Sequence, residues 1–543
     1  MKKKMVAVLL TLALTGSLMS GCGNAAEEGT DTTGNESQGE ENAAGQEERE
    51  ETGTGEQGRE GEEEEEEDLA EITVSFWSLA TVPQEVDLVE EAINEITEPE
   101  IGVTVNLNIM DVGSYIPNGA MANGVANGED FDLVCTAAAL SGHYSVMMSN
   151  GMLLPMSDLL KEYAPELLDT VSEDFLGATT KNGEIYAVPS YSNKIKNMYW
   201  LCRTEVLEQA GIDISTVTDV EALEEALVKI KEKCPDYIPL GGASTSIQIH
   251  YPSFDVFSGK EQAAWDALGD GTAVAAAVYY DDETLTAVSQ YETEGCKKGY
   301  QTVKKWYDMG LIDKDIATDT ATSDPLLDKE NIASAFAVGQ FDVVGTKCLA
   351  SDSQSVLFAE AVIDTSVMQQ FTWAIPVSCD EPEAAASFLN MLYTDERIVN
   401  LVDFGIEGKH WERKKDGTIG FPDGVTAENS GYYLGNLTAI VGNGFLAYPW
   451  EGADPNSAAM GKEAMENATY SPLLGFCLNT EALGDIYAGL CTIAHTEYGP
   501  ALGTGSAPDG YYEEFIEKMY ATGLEEYIKQ VNEQVQAWLT EQE

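Results

Sequence analysis

From residue 71 onward, apolar and polar positions fall into short blocks of two different periods. Ile72 to Trp77 is a β-rich run, and Pro83 then opens a segment with Val86, Val89, Ile93 and Ile96 at helical spacing. Val103 to Ile109 alternates apolar with polar residues as a second strand, and Phe131 to Thr136 makes a compact third. Between them Tyr115 to Asn127 is predicted helical, weakened by Gly119 and Gly124. Strand, helix, strand, helix, strand predicts an α/β layer on a parallel sheet. Thr218-Asp219-Val220-Glu221 looks like a capping box, starting a helix to about Lys233 that Pro235 stops. Two more helices are predicted near Tyr512 to Tyr520 and over Leu524 to Leu539, and no internal repeat stands out.

The chain before residue 71 obeys neither period. Lys2, Lys3 and Lys4 precede the apolar stretch Met5 to Leu18, which is short for a permanent membrane span and reads as an export signal. It ends in Leu18-Met19-Ser20-Gly21-Cys22, which resembles the lipobox of bacterial lipoproteins, with Met19 where leucine is commoner. That resemblance implies a signal peptide over residues 1–21 and a diacylglycerol on Cys22. The alternative is an ordinary secretory signal with a chance cysteine. Residues 22–70 are almost free of apolar side chains, so no core can form there and the segment is expected to be a disordered tether. As a flexible coil it would span roughly 35–40 Å, more with self-repulsion. Gly53-Thr54-Gly55-Glu56-Gln57-Gly58 matches a dinucleotide fingerprint only formally, with no strand before it or helix after it.

Composition sharpens this division. The 543 residues carry 94 acids and 29 bases, a net charge of −65. Residues 22–70 hold 19 of the acids and two of the bases, while residues 71–543 keep 75 and 24. A chain 43% hydrophobic and 9% aromatic can still build a core, and its length predicts two or more lobes. So acidic a surface, with no basic stripe, excludes nucleic acid and disfavours flat contact with anionic lipid. Eight cysteines remain after Cys22, without a C-x-x-C pair, and are expected as buried free thiols, with a long-range disulfide as the alternative. H-E-x-x-H, G-x-S-x-G and P-loop motifs are absent, and the histidines His143, His250, His410 and His495 are far apart. Asp313-Lys314-Asp315 starts like a calcium loop but lacks the ligands and glycine that follow. No metal, cofactor or catalytic residue is expected.

Six pieces of sequence carry a family resemblance. Glu129-Asp130-Phe131-Asp132-Leu133-Val134, with Asn150-Gly151-Met152-Leu153-Leu154-Pro155-Met156-Ser157-Asp158-Leu159, resembles family 1 extracellular solute-binding proteins of ABC importers. So do Asn182-Gly183-Glu184-Ile185-Tyr186-Ala187-Val188-Pro189, Ala210-Gly211-Ile212-Asp213, and Asp380-Glu381-Pro382-Glu383 followed by Tyr393-Thr394-Asp395. Gly405 to Trp411 and Tyr448-Pro449-Trp450 look like a lipoprotein subfamily with an uncharacterised C-terminal region. The resemblance implies an α/β, two-lobed periplasmic-binding-protein-like (Venus flytrap) fold with two or more crossovers. Lobe 1 is expected over residues 71–190 and about 370–405, and lobe 2 over about 191–369 and 406–543. The chain would cross near Tyr191 to Tyr199 and return near Phe371 to Pro376. What is implied of function is a monomeric, lipid-anchored protein on the outer face of the bacterial cytoplasmic membrane. It would take a mono- or oligosaccharide, neutral by the charge argument, and pass it to ABC permease subunits. A surface lipoprotein that captures glycan without a permease, and an extracellular glycoside hydrolase with paired carboxylates, are the rivals.

Sugars offer apolar C–H faces to aromatic rings and hydroxyls to polar side chains. In an open parallel sheet the crevice lies beyond the carboxyl ends of the strands. Together these select Trp77, Ser78, Asp111, Tyr115, Thr136, Tyr191, Asn193, Trp373 and Glu407 as ligand-binding candidates. Trp77 leads because of its strand-end position, although core packing is the ordinary role of a tryptophan. Trp200, Trp411 and Trp450 are read as packing residues, and His410 as a structural hydrogen bonder, with ligand contact as the alternative. Lys194, Lys196 and Arg203 are read as a solvated face that offsets nearby acids, with an acidic ligand group as the alternative contact.

Overall fold

The computed structural model describes residues 69–542, apart from 117–118, 137–142, 242–264, 267, 269–275, 281, 317–330 and 341–351. The export signal, Cys22, the acidic stretch to Asp68, Ala137, His250 and Cys348 therefore lie outside the described residues.

Three strands follow the alternation. β1 (Ala70–Ser78) pairs in parallel with β2 (Val103–Asp111) and with β3 (Leu133–Cys135). The helix between β1 and β2, Val86–Ile101, buries Val89 and Ile93, and Gly102 ends it in the left-handed region at φ 70°. Its neighbour differs from expectation. The Tyr115 to Asn127 segment is two helices, Val112–Tyr115 and Ala120–Asn127, because Gly119 stands at φ 62° and breaks the run. Two late pieces complete the sheet: Thr372–Ala374 runs antiparallel to β3, and Val188–Pro189 runs antiparallel to Thr372–Ala374. Fully buried side chains such as Ile72, Val74, Phe76, Leu133 and Phe388 fill the core around it, each contributing roughly 2 kcal/mol of burial.

A second sheet has the order Ser353–Ala359, Asn197–Arg203, Ile332–Gly339, Ile238–Gly241. Its core gathers Trp200, Val206, Leu223, Leu227, Ile230 and Trp306. The helix Val220–Lys233 packs there with Leu223, Ala226, Leu227 and Ile230. It is capped by Asp219, whose Oδ1 accepts the Ala222 amide at 2.8 Å.

A third core joins distant parts of the chain. Leu268, Ala276, Val278 and Tyr291 pack with Leu473, Phe515, Met519, Tyr527, Val531 and Val535. The last five lie on the helices Tyr511–Thr522 and Leu524–Gln542. One helix, Glu294–Asp308, belongs to both neighbouring cores: Val303 and Trp306 enter the second, while Cys296 and Tyr300 lie against the third. The second and third cores are thus fastened along one rod.

Two expected boundaries move. Phe371 to Pro376 does not cross between lobes, since Thr372–Ala374 is an inner strand of the first sheet. The return crossing falls earlier, between Ala359, paired with Met198, and Val362, paired with Thr469. Residues 406–470 also depart from expectation. Trp411, Ile419, Tyr432, Leu434, Leu437, Val441 and Met465 pack in the first core rather than with the second sheet. Asp403 draws them in: its carboxylate accepts the Leu437 amide and the Thr438 hydroxyl, both at 2.8 Å.

Candidate functional site

The topology brings the carboxyl ends of both sheets toward the crossing segments. β1, β2 and β3 are parallel and end at Ser78, Asp111 and Cys135, and Val188–Pro189 ends at the same edge before the outgoing crossing, residues 190–196. In the second sheet that crossing enters at Asn197, which pairs with Gly339 at the carboxyl end of Ile332–Gly339. Ile238–Gly241 runs parallel to that strand and ends beside it. Gln340 then reaches back, its Nε2 donating to the Asn193 carbonyl at 3.0 Å. Such an edge, faced by a second one, is where an open α/β sheet binds ligands. The segments that leave it at residues 137–142, 242–264 and 341–351 lie outside the described residues.

The aromatic candidates at this edge form its floor. Trp77 is 1% exposed, with its ring 4.9 Å from Tyr115 and 5.7 Å from Phe371. The Tyr115 hydroxyl points at the carbonyls of Ser75, 3.0 Å away, and Cys135, 2.6 Å away, so it knits β1 to β3. Trp373, chosen for a return crossing that lies elsewhere, is buried in the sheet and donates its indole N–H to the Ile440 carbonyl at 2.7 Å. These three are packed residues in this conformation, in contrast to the platform role expected for Trp77 and Trp373.

The polar candidates divide. Ser78 is buried and accepts the Ala80 amide, while Thr136 is buried with its Oγ1 2.9 Å from that of Thr372. Asp111 is exposed and caps the short helix after it, and hydrogen bonds from Ser114, the side chain first, hold its carboxyl below the usual range. Glu407 is exposed, with its Oε1 3.4 Å from Nε of Arg413. Arg413 in turn lies over the Tyr448 ring at 4.2 Å. Glu407 lies in the Gly405 to Trp411 turn, whose Lys409 and His410 both contact Glu85.

Tyr191 and Asn193 lie on the crossing itself. Tyr191 is half-buried, edge-on between Phe175 and Phe445 at 5.0 and 5.1 Å, and its backbone pairs with Gly442 and Gly444. Asn193 is oriented by the Ile195 amide, which donates to its Oδ1 at 2.9 Å. Its Nδ2 is then buried with no partner among the described residues. Asn436 mirrors it with an unpartnered buried Oδ1, held at φ 61° beside Gly435, which abuts Leu79 in the loop after β1. An orphan donor and an orphan acceptor near the sheet edge suit a hydroxyl-rich solute. The Gly435-Asn436 pair signals a turn in the sequence, but nothing there signals an unpaired amide.

The basic cluster is not a solvated face. Lys194 is 5% exposed, and its Nζ donates to Ser190 Oγ at 2.7 Å. Burial lowers its amine to about 7, with the charge of Lys196 adding to the effect and Cys135 opposing it. Among the described residues no carboxylate pairs with it. Arg203 is also buried and donates Nε to the Ile332 carbonyl at 2.7 Å. His410 is structural as expected: Nδ1 accepts the Ile406 amide at 2.9 Å, which leaves Nε2–H to donate to Glu85 at 3.0 Å. Only glycine fits at position 405, where a Cβ would meet His410 Nδ1 at 2.3 Å and φ is 76°. The described cysteines are all free thiols, and no group of three metal-ligating side chains occurs among the described residues. No helix among them is long and apolar enough to cross a membrane.

Two α/β lobes, crossed by separated segments and facing each other across their sheet edges, define a two-lobed binding protein. The chain belongs to the bacterial extracellular solute-binding protein family, whose pattern it matches over residues 83–397. Residues 472–540 match a separate domain of unknown function. Among curated proteins it is 26% identical over 469 residues to a carbohydrate ABC transporter substrate-binding protein of Streptococcus pneumoniae, covering 85% of this chain and 89% of that one. In fold it is similar to the N-glycan transport solute binding protein of Streptococcus pneumoniae, with TM-score 0.71 and 23% identity over 87% of this chain and all of that one. It is also similar to an HMO-binding, ABC-transporter-associated solute-binding protein of Bifidobacterium longum infantis, with TM-score 0.60 and 14% identity over 87% of this chain and 99% of that one.

Proposed function

We propose that this chain captures a neutral sugar or oligosaccharide between its lobes and delivers it to an ABC permease, tethered by a lipid on Cys22. The observation that carries the reading is the convergence of both sheet edges on one crossing, with the orphan amides of Asn193 and Asn436 near it. A ligand that touches both edges only when they close shifts the population toward the closed form, the form a permease can recognise. No bond need break. The carbohydrate relatives support a sugar as the solute. The acid excess of residues 71–543, 75 acids to 24 bases, disfavours uronic and sialic acids relative to neutral sugars.

The test combines binding and anchoring. A melting-shift panel of mono- and oligosaccharides, including Man-GlcNAc glycans, should give a shift for at least one neutral sugar, recovered intact. Shorter products would establish a glycosidase instead. Cys22→Ala should release the protein from the membrane fraction, and loss of the chain should abolish uptake of the bound sugar. Unchanged uptake would favour surface capture without a permease.

A further inference from the structure

The loop after β1 is held from far along the chain. Leu79 donates its amide to the Leu434 carbonyl at 2.9 Å, and Gln84 and Glu85 donate theirs to the Gly431 carbonyl at 3.0 and 3.1 Å. Two glycines permit this approach. Gly431, at φ 82°, leaves no room for a Cβ beside the Glu85 carboxylate, and a Cβ on Gly435, at φ 89°, would come within 2.9 Å of Leu79 Cβ. Among the described residues, the hydrogen bonds and ion pairs that residues 79–85 make to the chain beyond residue 101 all go to residues 409–434. The loop starts after Ser78, on the sheet edge where the crossing segments converge, so its shape is part of the rim of the cleft.

Glu85 fastens it. This residue stands at the N-cap of the helix Val86–Ile101, where a side-chain oxygen ordinarily accepts an amide of the first turn, yet its side chain caps nothing there. The carboxylate turns away instead, to Nε2 of His410 at 3.0 Å and to Nζ of Lys409 at 3.2 Å. The hydrogen bond from His410, ahead of Lys409 and against the effect of burial, holds that carboxyl below its usual range. His410 is itself fixed. Its side chain has no exposed surface, its Nδ1 is taken by the Ile406 amide, and its ring stacks on Tyr432 at 5.7 Å. The Tyr432 hydroxyl donates to the Val402 carbonyl at 2.8 Å, and the Trp411 indole N–H closes the turn on the Gly405 carbonyl at 2.9 Å. A turn locked in this way presents the His410 Nε2–H at one place.

We propose that the Gly405 to Trp411 turn, together with residues 431–436, is a brace that sets the rim of the solute cleft, with Glu85 and His410 as its positioning residues. Neither touches the solute. The brace fixes the loop 79–85 and carries Asn436, next to Gly435, into the same rim, so that the loop and the unpartnered amide keep one spacing. A rim ordered in advance escapes an ordering cost on binding, and freedom returned to it lowers affinity. The hydrogen bond to His410 carries the hold, because the Lys409 pair is solvent-exposed and contributes little. The inference rests on the sugar reading only for what the rim meets; the brace itself is a property of the free chain.

The test is hydrogen exchange of the free mature protein, joined to calorimetric titration with the sugar that gives the melting shift. The Glu85 side chain is 34% exposed, so Glu85→Ala opens no buried cavity and should fold. In that variant, protection of the Leu79 and Gln84 amides should fall about tenfold while that of β1 stays constant. Affinity should fall about fivefold with it. Glu85→Gln keeps an acceptor for the His410 Nε2–H and should recover both to within roughly twofold of wild type. Wild-type protection of Leu79 and Gln84 in Glu85→Ala would overturn the brace. So would equal losses in the alanine and glutamine variants, or a loosened loop with wild-type affinity. If no sugar binds the wild-type chain, the sugar reading fails and the exchange of Leu79 and Gln84 alone decides the brace.

Discussion

Oδ1 of Asn197 accepts the Ala361 amide at 2.7 Å, tying the outgoing crossing to the returning one at the point where both change lobes. On the first-lobe side the outgoing crossing is pinned: Ser190 donates to the Ala439 carbonyl, Tyr191 is wedged between Phe175 and Phe445, and Lys194 is buried. On the other side Asn197 begins the second sheet. Ile195 is buried in the first core as well, which leaves Lys196 to absorb a hinge motion. Asn197→Ala should cost about 1 kcal/mol by orphaning a part-buried amide. In small-angle scattering the unliganded variant should sample a wider range of openings. An unchanged profile would show that the tie does not restrain the hinge.

Lys194 predicts a pH dependence of one sign. Its folded value, about 7, lies below the unfolded value of about 10.4, so the unfolded chain binds more protons in between. Its contribution to stability therefore improves as pH rises from about 7 to about 10. Lys194→Met should raise stability most at pH 6 and little at pH 10, read as the difference in urea midpoint from wild type. A constant difference across that range would contradict an uncompensated buried amine.

Asp403 predicts the opposite sign. Burial raises it to about 7, against the pull of Thr438 and Leu437. The folded chain then binds more protons between about 4 and about 7, so this stabilisation is full below about 4 and is lost as pH rises through 7. Asp403→Asn should flatten that part of the stability profile. The expected magnitude is on the order of 4 kcal/mol across the window.

Asn436 separates ligand contact from backbone need. Asn436→Gly keeps the left-handed conformation and deletes only the amide, so the melting temperature of the free protein should barely change. Affinity for the bound sugar should fall roughly tenfold, the loss of about one hydrogen bond. Full affinity would remove Asn436 from the site. Lys196→Ala, by contrast, should leave affinity for a neutral glycan nearly unchanged.

The periodic parts of this fold were legible in sequence. β1, β2 and the helix between them follow alternation and 3.6-residue spacing, and the edge formed by Ser78, Asp111 and Thr136 follows from their strand ends. The return crossing was not, because Thr372–Ala374 is three residues long and owes its place to pairing with segments some 180 to 240 positions away. Trp77 and Trp373 have the composition of a sugar platform, but burial depends on what covers a ring, and Tyr115, Phe371 and the Ile440 carbonyl are remote in sequence. Lys194 reads as a surface residue for the same reason. Nothing local reveals that Ser190 and the first core close over it.

The most direct measurement is calorimetric titration of the lipid-free mature chain with neutral oligosaccharides, with the sugar analysed afterwards and the lobes followed by small-angle scattering. The account predicts one-to-one binding of an intact sugar and a more compact particle when it is bound. Hydrolysed sugar, or binding without any change in compactness, would contradict it.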